Sequence, residues 1–185
     1  AGAIRINGQA VRISRPREAM EAGIAYVSED RRKLGLALPM PIRANVSVAT
    51  LGQFLNRWGI LNVDRERAVT EAFRQRLNIR TPDVEIAVGK LSGGNQQKVM
   101  LAKWLNMKPD ILIFDEPTRG IDVGAKAEVH DLIREFVADG GAVAILRVRI
   151  LVDVVAQMRD EIQVRAARNE AIRVEEAVGV IRARA

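Results

Sequence analysis

The stretch from Leu91 to Asp122 constrains the chain more than any other. It opens Leu91-Ser92-Gly93-Gly94-Asn95-Gln96-Gln97-Lys98, passes through a helical pattern and reaches Ile111-Leu112-Ile113-Phe114-Asp115-Glu116-Pro117-Thr118. A Ser-Gly-Gly turn feeding a helix leaves backbone N–H groups without carbonyl partners at the positive end of the helix dipole. Two glycines let an anion approach the backbone and Ser92 adds a hydroxyl, a combination suited to phosphate. Four apolar residues before Asp115 predict a strand buried on both faces, as in a parallel sheet. Asp115 and Glu116 then fall at its carboxyl end, where open α/β sheets place ligands. One carboxylate there suits Mg²⁺, usually through its water, and the next suits orienting or deprotonating an attacking water.

These residues carry a family resemblance. Leu91–Lys98 resembles the signature motif of ATP-binding cassette (ABC) ATPases. Ile111–Glu116 resembles their Walker B strand with its catalytic glutamate, and Arg119-Gly120-Ile121-Asp122 their D-loop. Asn95–Lys98 and Asp115–Lys126 are similar to the second cassette of the tandem-cassette ATPases that power ribose- and galactose-type monosaccharide importers. The resemblance implies an α/β, P-loop NTPase-like cassette: a parallel core sheet with helices, a small antiparallel β hairpin and a helical subdomain. Residues 1–185 would form one partial ABC ATPase domain, with 1–34 and 89–185 as core and β part and 35–88 as the helical subdomain.

The resemblance also implies roles. Glu116 would be catalytic in hydrolysis of ATP to ADP and phosphate, and Asp115 would hold Mg²⁺ through water. Ser92, Gly93, Gly94, Gln96, Asp122 and Glu29 would serve the ATP site, Glu29 standing where the family has its Q-loop glutamine. Implied partners are transmembrane permease subunits, a second ABC cassette and, indirectly, a sugar-binding protein. The implied location is cytoplasmic and peripheral, on the inner face of the plasma membrane.

The element that grips the triphosphate, Gly-x-x-x-x-Gly-Lys-Ser/Thr, does not occur in the sequence. Gly89-Lys90 is the one Gly-Lys pair, with Val84 where the first glycine belongs and Leu91 after it. In the family this loop precedes the opening hairpin, so the chain is expected to start just downstream of it and to be part of a cassette. Charge-assisted hydrogen bonds contribute roughly 1.5–3 kcal/mol each, so losing three weakens nucleotide binding about a thousandfold or more. Hydrolysis of ATP by the chain alone is not expected. In the family the missing strand lies inside the sheet, so unpaired edges are expected too.

Bulk properties narrow the alternatives. A length of 185 residues fits one domain with a real core. Cysteine is absent, which excludes disulfides and thiolate metal sites. Apolar runs such as Ala142–Leu146 are far too short to span a bilayer, and no signal peptide is visible. The net charge of +6 comes from arginines scattered among acids, with few aromatics, so a nucleic-acid partner is not expected.

Along the chain, Asn7-Gly8 predicts a hairpin over 4–13. A short helix follows over 14–23, with Pro16 in its first turn, and then a buried strand, Ile24–Val27. Arg31-Arg32-Lys33 reads as a solvated loop or an active contact. Residues 35–88 are broken by Pro39, Pro41 and Gly52; one amphipathic helix, Asp64 to Leu77, presents Val69, Ala72, Phe73 and Leu77. Leu51, Phe54 and Trp58 are candidates for either a permease-docking surface or the core. A helix over 125–138 turns Val129, Leu132, Ile133, Phe136 and Val137 inward and ends at Gly140-Gly141; His130 on it reads as a surface residue. Strand 142–146 leads to Arg147-Val148-Arg149, where the family has a switch residue; an arginine stays protonated and cannot act as a base. A helix over 150–158, strands 162–164 and 171–174 and a tail over 175–185 complete the expectations.

Two functional readings follow. In one, the chain is part of the ATP-binding subunit of a monosaccharide importer, its signature turn capping a nucleotide held by another cassette. In the other, it is a non-catalytic remnant or interaction module derived from such an ATPase. A repair or translation cassette fits less well, because no nucleic-acid element is evident.

Overall fold

The computed structural model describes residues 4–6, 8–115 and 123–146. Strands β1 (Ile4–Ile6) and β2 (Gln9–Val11) form the expected antiparallel hairpin, with Ile6 opposite Gln9 and Gly8 at φ 77°. That positive φ is the conformation an Asn-Gly turn requires. Helix α1 (Pro16–Glu21) starts two residues later than Ser14, at a proline whose missing N–H costs nothing there. The Glu18 carboxylate accepts from the backbone N–H groups of Ser14 (2.6 Å) and Arg15 (3.2 Å), which closes the helix entrance.

Strands β3 (Ile24–Val27), β4 (Ile111–Asp115) and β5 (Ala142–Leu146) form a parallel sheet in that order. Register aligns Ala25 with Leu112 and Val27 with Phe114, and Phe114 with Ile145, so these side chains share one buried face. Tyr26 points to the other face and is 43% exposed, so β3 is buried on one side only, short of the fully buried strand expected. Against the buried face lie helices α4 (Gly93–Leu105) and α5 (Val123–Ala138). Val99–Ala102 of α4 and Val129 and Ile133 of α5 enter the core, each large side chain adding about 1.5–3 kcal/mol by burial. Gly140, at φ 98°, ends α5 where Gly140-Gly141 predicts.

Residues 35–88 hold more helix than their pattern announces. Helix α2 (Ile42–Ser47) begins immediately after Pro41 and runs into a 3₁₀ segment, Val48–Phe54. Helix α3 (Val63–Arg76) is the expected amphipathic helix, with Phe73 and Leu77 turned to the core as expected and one expected member, Ala72, left out. Ala72 is exposed, whereas Glu66 and Thr70 are buried. Glu66 is tolerated inside because Arg43 and the Ser47 hydroxyl both reach its carboxylate. Leu36, Ile42, Val46 and Leu77 join the same hydrophobic cluster as the sheet and α4.

Arg31–Gly35 is an ordered π-type turn rather than an open loop. The N–H of Leu34 and of Gly35 both reach the Asp30 carbonyl (2.9 and 3.2 Å), and the Asp30 carboxylate accepts from Arg32 and Lys33 N–H. No helix among the described residues is long and apolar enough to cross a membrane. Glu116, the Arg119–Asp122 turn, Arg147, Arg149 and the elements expected from 150 to 185 lie outside the described residues.

Candidate functional site

Ser92 sits at the entrance of α4 in a non-helical conformation (φ −59°, ψ 158°). Its Oγ accepts from the Asn95 backbone N–H (3.4 Å) and the Asn95 side-chain amide (3.0 Å). This is N-capping, and it leaves the Gly93 and Gly94 amides at the open, positive end of a 13-residue helix. Gln96 supports the turn from inside. It is 2% exposed, and its Nε2 donates to the carbonyls of Leu91 (3.0 Å) and Val88 (3.4 Å).

A recess of about 170 Å³ opens beside this turn, lined by Ser92, Gly94, Asn95, Lys98, Arg80, Gly124 and Glu128. The Lys98 ammonium forms part of its floor, donating to the Asn78 carbonyl (2.8 Å) and pairing with Glu128. Arg80 stands at the rim, 76% exposed and 3.9 Å from Glu128, with its backbone N–H bonded to Asn95 Oδ1 (2.8 Å). Two cations against one carboxylate, a serine hydroxyl and a helix N-terminus make the recess suited to an anion. The turn is thereby joined to the start of α5, the helix immediately after Asp122.

Asp115 and Glu29 do not line this recess. Asp115 ends β4 and Glu29 follows β3 by two residues, so both belong to the carboxyl ends of adjacent parallel strands. Tyr26 Oη donates to Asp115 Oδ2 at 2.9 Å. Asp115 Oδ1 and the Ser28 hydroxyl are buried there without a hydrogen-bond partner among the described residues. Buried polar atoms are normally satisfied, so a carboxylate oxygen left open beside a hydroxyl fits a hydrated Mg²⁺ held through water. Of the residues expected at the nucleotide, the structure thus gathers Ser92 and Gly94 at one place, with Gly93 beside them, and leaves Asp115 and Glu29 at the strand ends, away from that recess.

Three participants were not assigned from sequence. Lys98 stands in the signature stretch, but its partner Glu128 is thirty residues away and only packing of α4 on α5 joins them. Arg80 carries no local signal. Tyr26 alternates outward along β3, and only the β3–β4 register places it at Asp115.

Comparison with known proteins identifies the family. A family model described as "ABC transporter" matches residues 1–119. The chain is 51% identical over 145 residues to a protein of Burkholderia cenocepacia (strain HI2424) named for ribose, galactose and methyl galactoside import ATP binding, covering 78% of this chain and 28% of that protein. It is 47% identical over 146 residues to the ribose import ATP-binding protein RbsA 3 of Rubrobacter xylanophilus, covering 79% and 29%. The chain therefore spans less than a third of the length of these curated relatives. In fold it matches the ADP conformation of an ATP-binding cassette of an ABC transporter, with a TM-score of 0.58 and 19% identity, over 77% of this chain and 57% of the other. With the family model covering 119 of its 185 residues, the chain belongs to the ABC transporter family.

Proposed function

We propose that the chain is part of the ATP-binding subunit of a monosaccharide importer of the ribose and galactose type. Its relatives' names supply the substrate class. One observation supports the mechanism: the recess at Ser92 and Gly94 is separate from the buried, unpartnered oxygens of Asp115 and Ser28. One cassette would therefore offer two half-sites: the Ser92 turn works on nucleotide held by a second cassette, and Asp115 works with the phosphate loop of its own. Ser92, Gly93 and Gly94 would donate to the phosphates of ATP held by the partner's phosphate loop, with Gln96 keeping the turn in shape. Asp115 would hold Mg²⁺ through water, Glu116 would polarise the attacking water, and Asp122 would link the two half-sites. Mg²⁺, when bound, neutralises phosphate charge. Glu29 would sense the permease, against which the 35–88 segment docks at the inner face of the membrane.

The test is ATP turnover by this chain mixed with a cassette that carries an intact phosphate loop. Turnover is expected to rise on mixing and to be lost with Ser92→Arg, whose guanidinium fills the recess. A Ser92→Arg chain that stimulates as well as the wild type would contradict the reading. A second reading is a partner-binding module without turnover. It predicts complex formation with the partner cassette and no rise in hydrolysis.

A further inference from the structure

Lys103 has a buried ammonium that the site above does not use. It lies on α4, 8% exposed, and its Nζ donates to the Gly35 carbonyl at 2.5 Å. The Trp104 ring lies beside it, with its centroid 4.7 Å from Nζ. No carboxylate among the described residues pairs with it, and burial pushes the ammonium's pKa down. An ammonium in such a place costs desolvation that a carbonyl and a ring offset only in part. A methionine of similar volume would avoid that cost, so packing alone does not account for a lysine.

What the lysine holds is specific. Gly35 ends the Arg31–Gly35 turn, which starts at Asp30 immediately after Glu29. The same glycine packs against α4 one helical turn before Lys103, so closely that a Cβ at Gly35 would collide with Met100 Sδ. The turn is thus fixed at its start by the Asp30 carboxylate and at its end by Met100 and Lys103. At the other end of α4, about 16 Å away by helical rise, lies Ser92.

We propose that Lys103 is a positioning residue that latches the segment following Glu29 to the signature helix, so that the two move as one body. The regulatory part of this inference rests on the reading of the Ser92 turn as a nucleotide cap; the latch itself does not. Occupation of the turn would then be felt at Glu29, and displacement of Glu29 at the turn, through one buried hydrogen bond.

The experiment compares wild type and Lys103→Met by hydrogen exchange and urea denaturation on the whole chain. In the variant, exchange at residues 31–36 is expected to speed up by roughly tenfold to a hundredfold, the scale of one lost hydrogen bond to a charged group. Amides of α4 stay protected, and the denaturation midpoint stays level or rises because the desolvation cost is gone. Unchanged exchange at 31–36 would overturn the latch. So would a lower midpoint with loosened α4 amides, the result for a lysine that only supports the core. A second arm adds a phosphate-loop cassette and Mg·ATPγS. Slowed exchange at both α4 and 31–36 is expected in wild type, and at α4 alone in Lys103→Met. Slowing that reaches 31–36 equally in the variant would overturn the coupling. If even wild-type α4 shows no slowing, the nucleotide reading of Ser92 fails, and the first arm decides the latch by itself.

Discussion

Lys98, 2% exposed, is held between the Asn78 carbonyl and the carboxylate of Glu128, so the helix of the signature turn is pinned to the helix that follows Asp122. Removing one member strands a buried charge. Glu128→Gln is expected to destabilise the chain by about 3 kcal/mol, the low end for broken buried pairs because Glu128 remains partly solvated. The double variant Lys98→Met/Glu128→Gln should recover most of that loss. Urea denaturation of the four proteins in the cycle checks it; a double-variant loss equal to the sum of the two single losses would mean the pair is not coupled.

The hydrogen bond from Tyr26 to Asp115 joins two strands through their exposed ends. Solvent competes for a hydroxyl on a side chain 43% exposed, so Tyr26→Phe should cost about 1 kcal/mol rather than the full strength of a charged hydrogen bond. A double-mutant cycle with Asp115→Asn should give a coupling of similar size, on the order of 1 kcal/mol. Additive losses would show that the two side chains act independently.

Leu51, Phe54 and Trp58 separate into two classes. Phe54 is 2% exposed and belongs to the interior, while Leu51 (43%) and Trp58 (72%) face outward. Phe54→Ala should cost about 3–5 kcal/mol. Trp58→Ala should change stability by less than about 1 kcal/mol, including its exposed stacking with Arg57 at 4.5 Å. If the outward face docks on a permease, Trp58→Ala should also reduce co-purification with the permease while Phe54→Ala acts only through folding.

Glu85 links the α2 and α3 ends through Arg43 and Arg67. Burial raises its pKa, but hydrogen bonds from the two guanidinium groups outweigh this and hold the carboxyl below its ordinary value of 4.5. A depressed folded pKa means the unfolded chain binds the proton first as pH falls. The stabilisation is therefore complete above pH 4.5 and is lost as pH drops through the lowered value. Glu85→Gln should flatten the acid limb of stability below pH 4.5, measured by urea midpoints across pH. An unchanged limb would assign acid sensitivity to other carboxylates.

Much of the fold was legible because its signals are local. Four apolar residues before Asp115 gave β4, Asn-Gly gave the hairpin, and Ser92 before a helical pattern gave the capped start of α4. The helix α2 was not legible. It has six residues, and its Asn45 side chain is spent on the backbone of Ala37, Met40 and Pro41, which looks polar in sequence and is buried in fact. The inner face of α3 was legible at Phe73 and Leu77 but not at Glu66, which is inside because Arg43, 23 residues earlier, neutralises it. The site divides along this line. Ser92 and Asp115 announce themselves by neighbours in sequence, whereas Glu128, Arg80 and Tyr26 join only when α4 meets α5 and β3 meets β4.

The most direct test of the account is equilibrium binding of Mg·ATPγS to this chain, alone and with a phosphate-loop cassette. Alone, no saturable binding is expected up to millimolar nucleotide, because the Ser92 turn and the Asp115 carboxylate each supply only half of a site. With the partner cassette, binding should be tighter than the partner shows by itself, and that gain should be lost in Ser92→Arg. Tight binding by the chain alone would contradict the account.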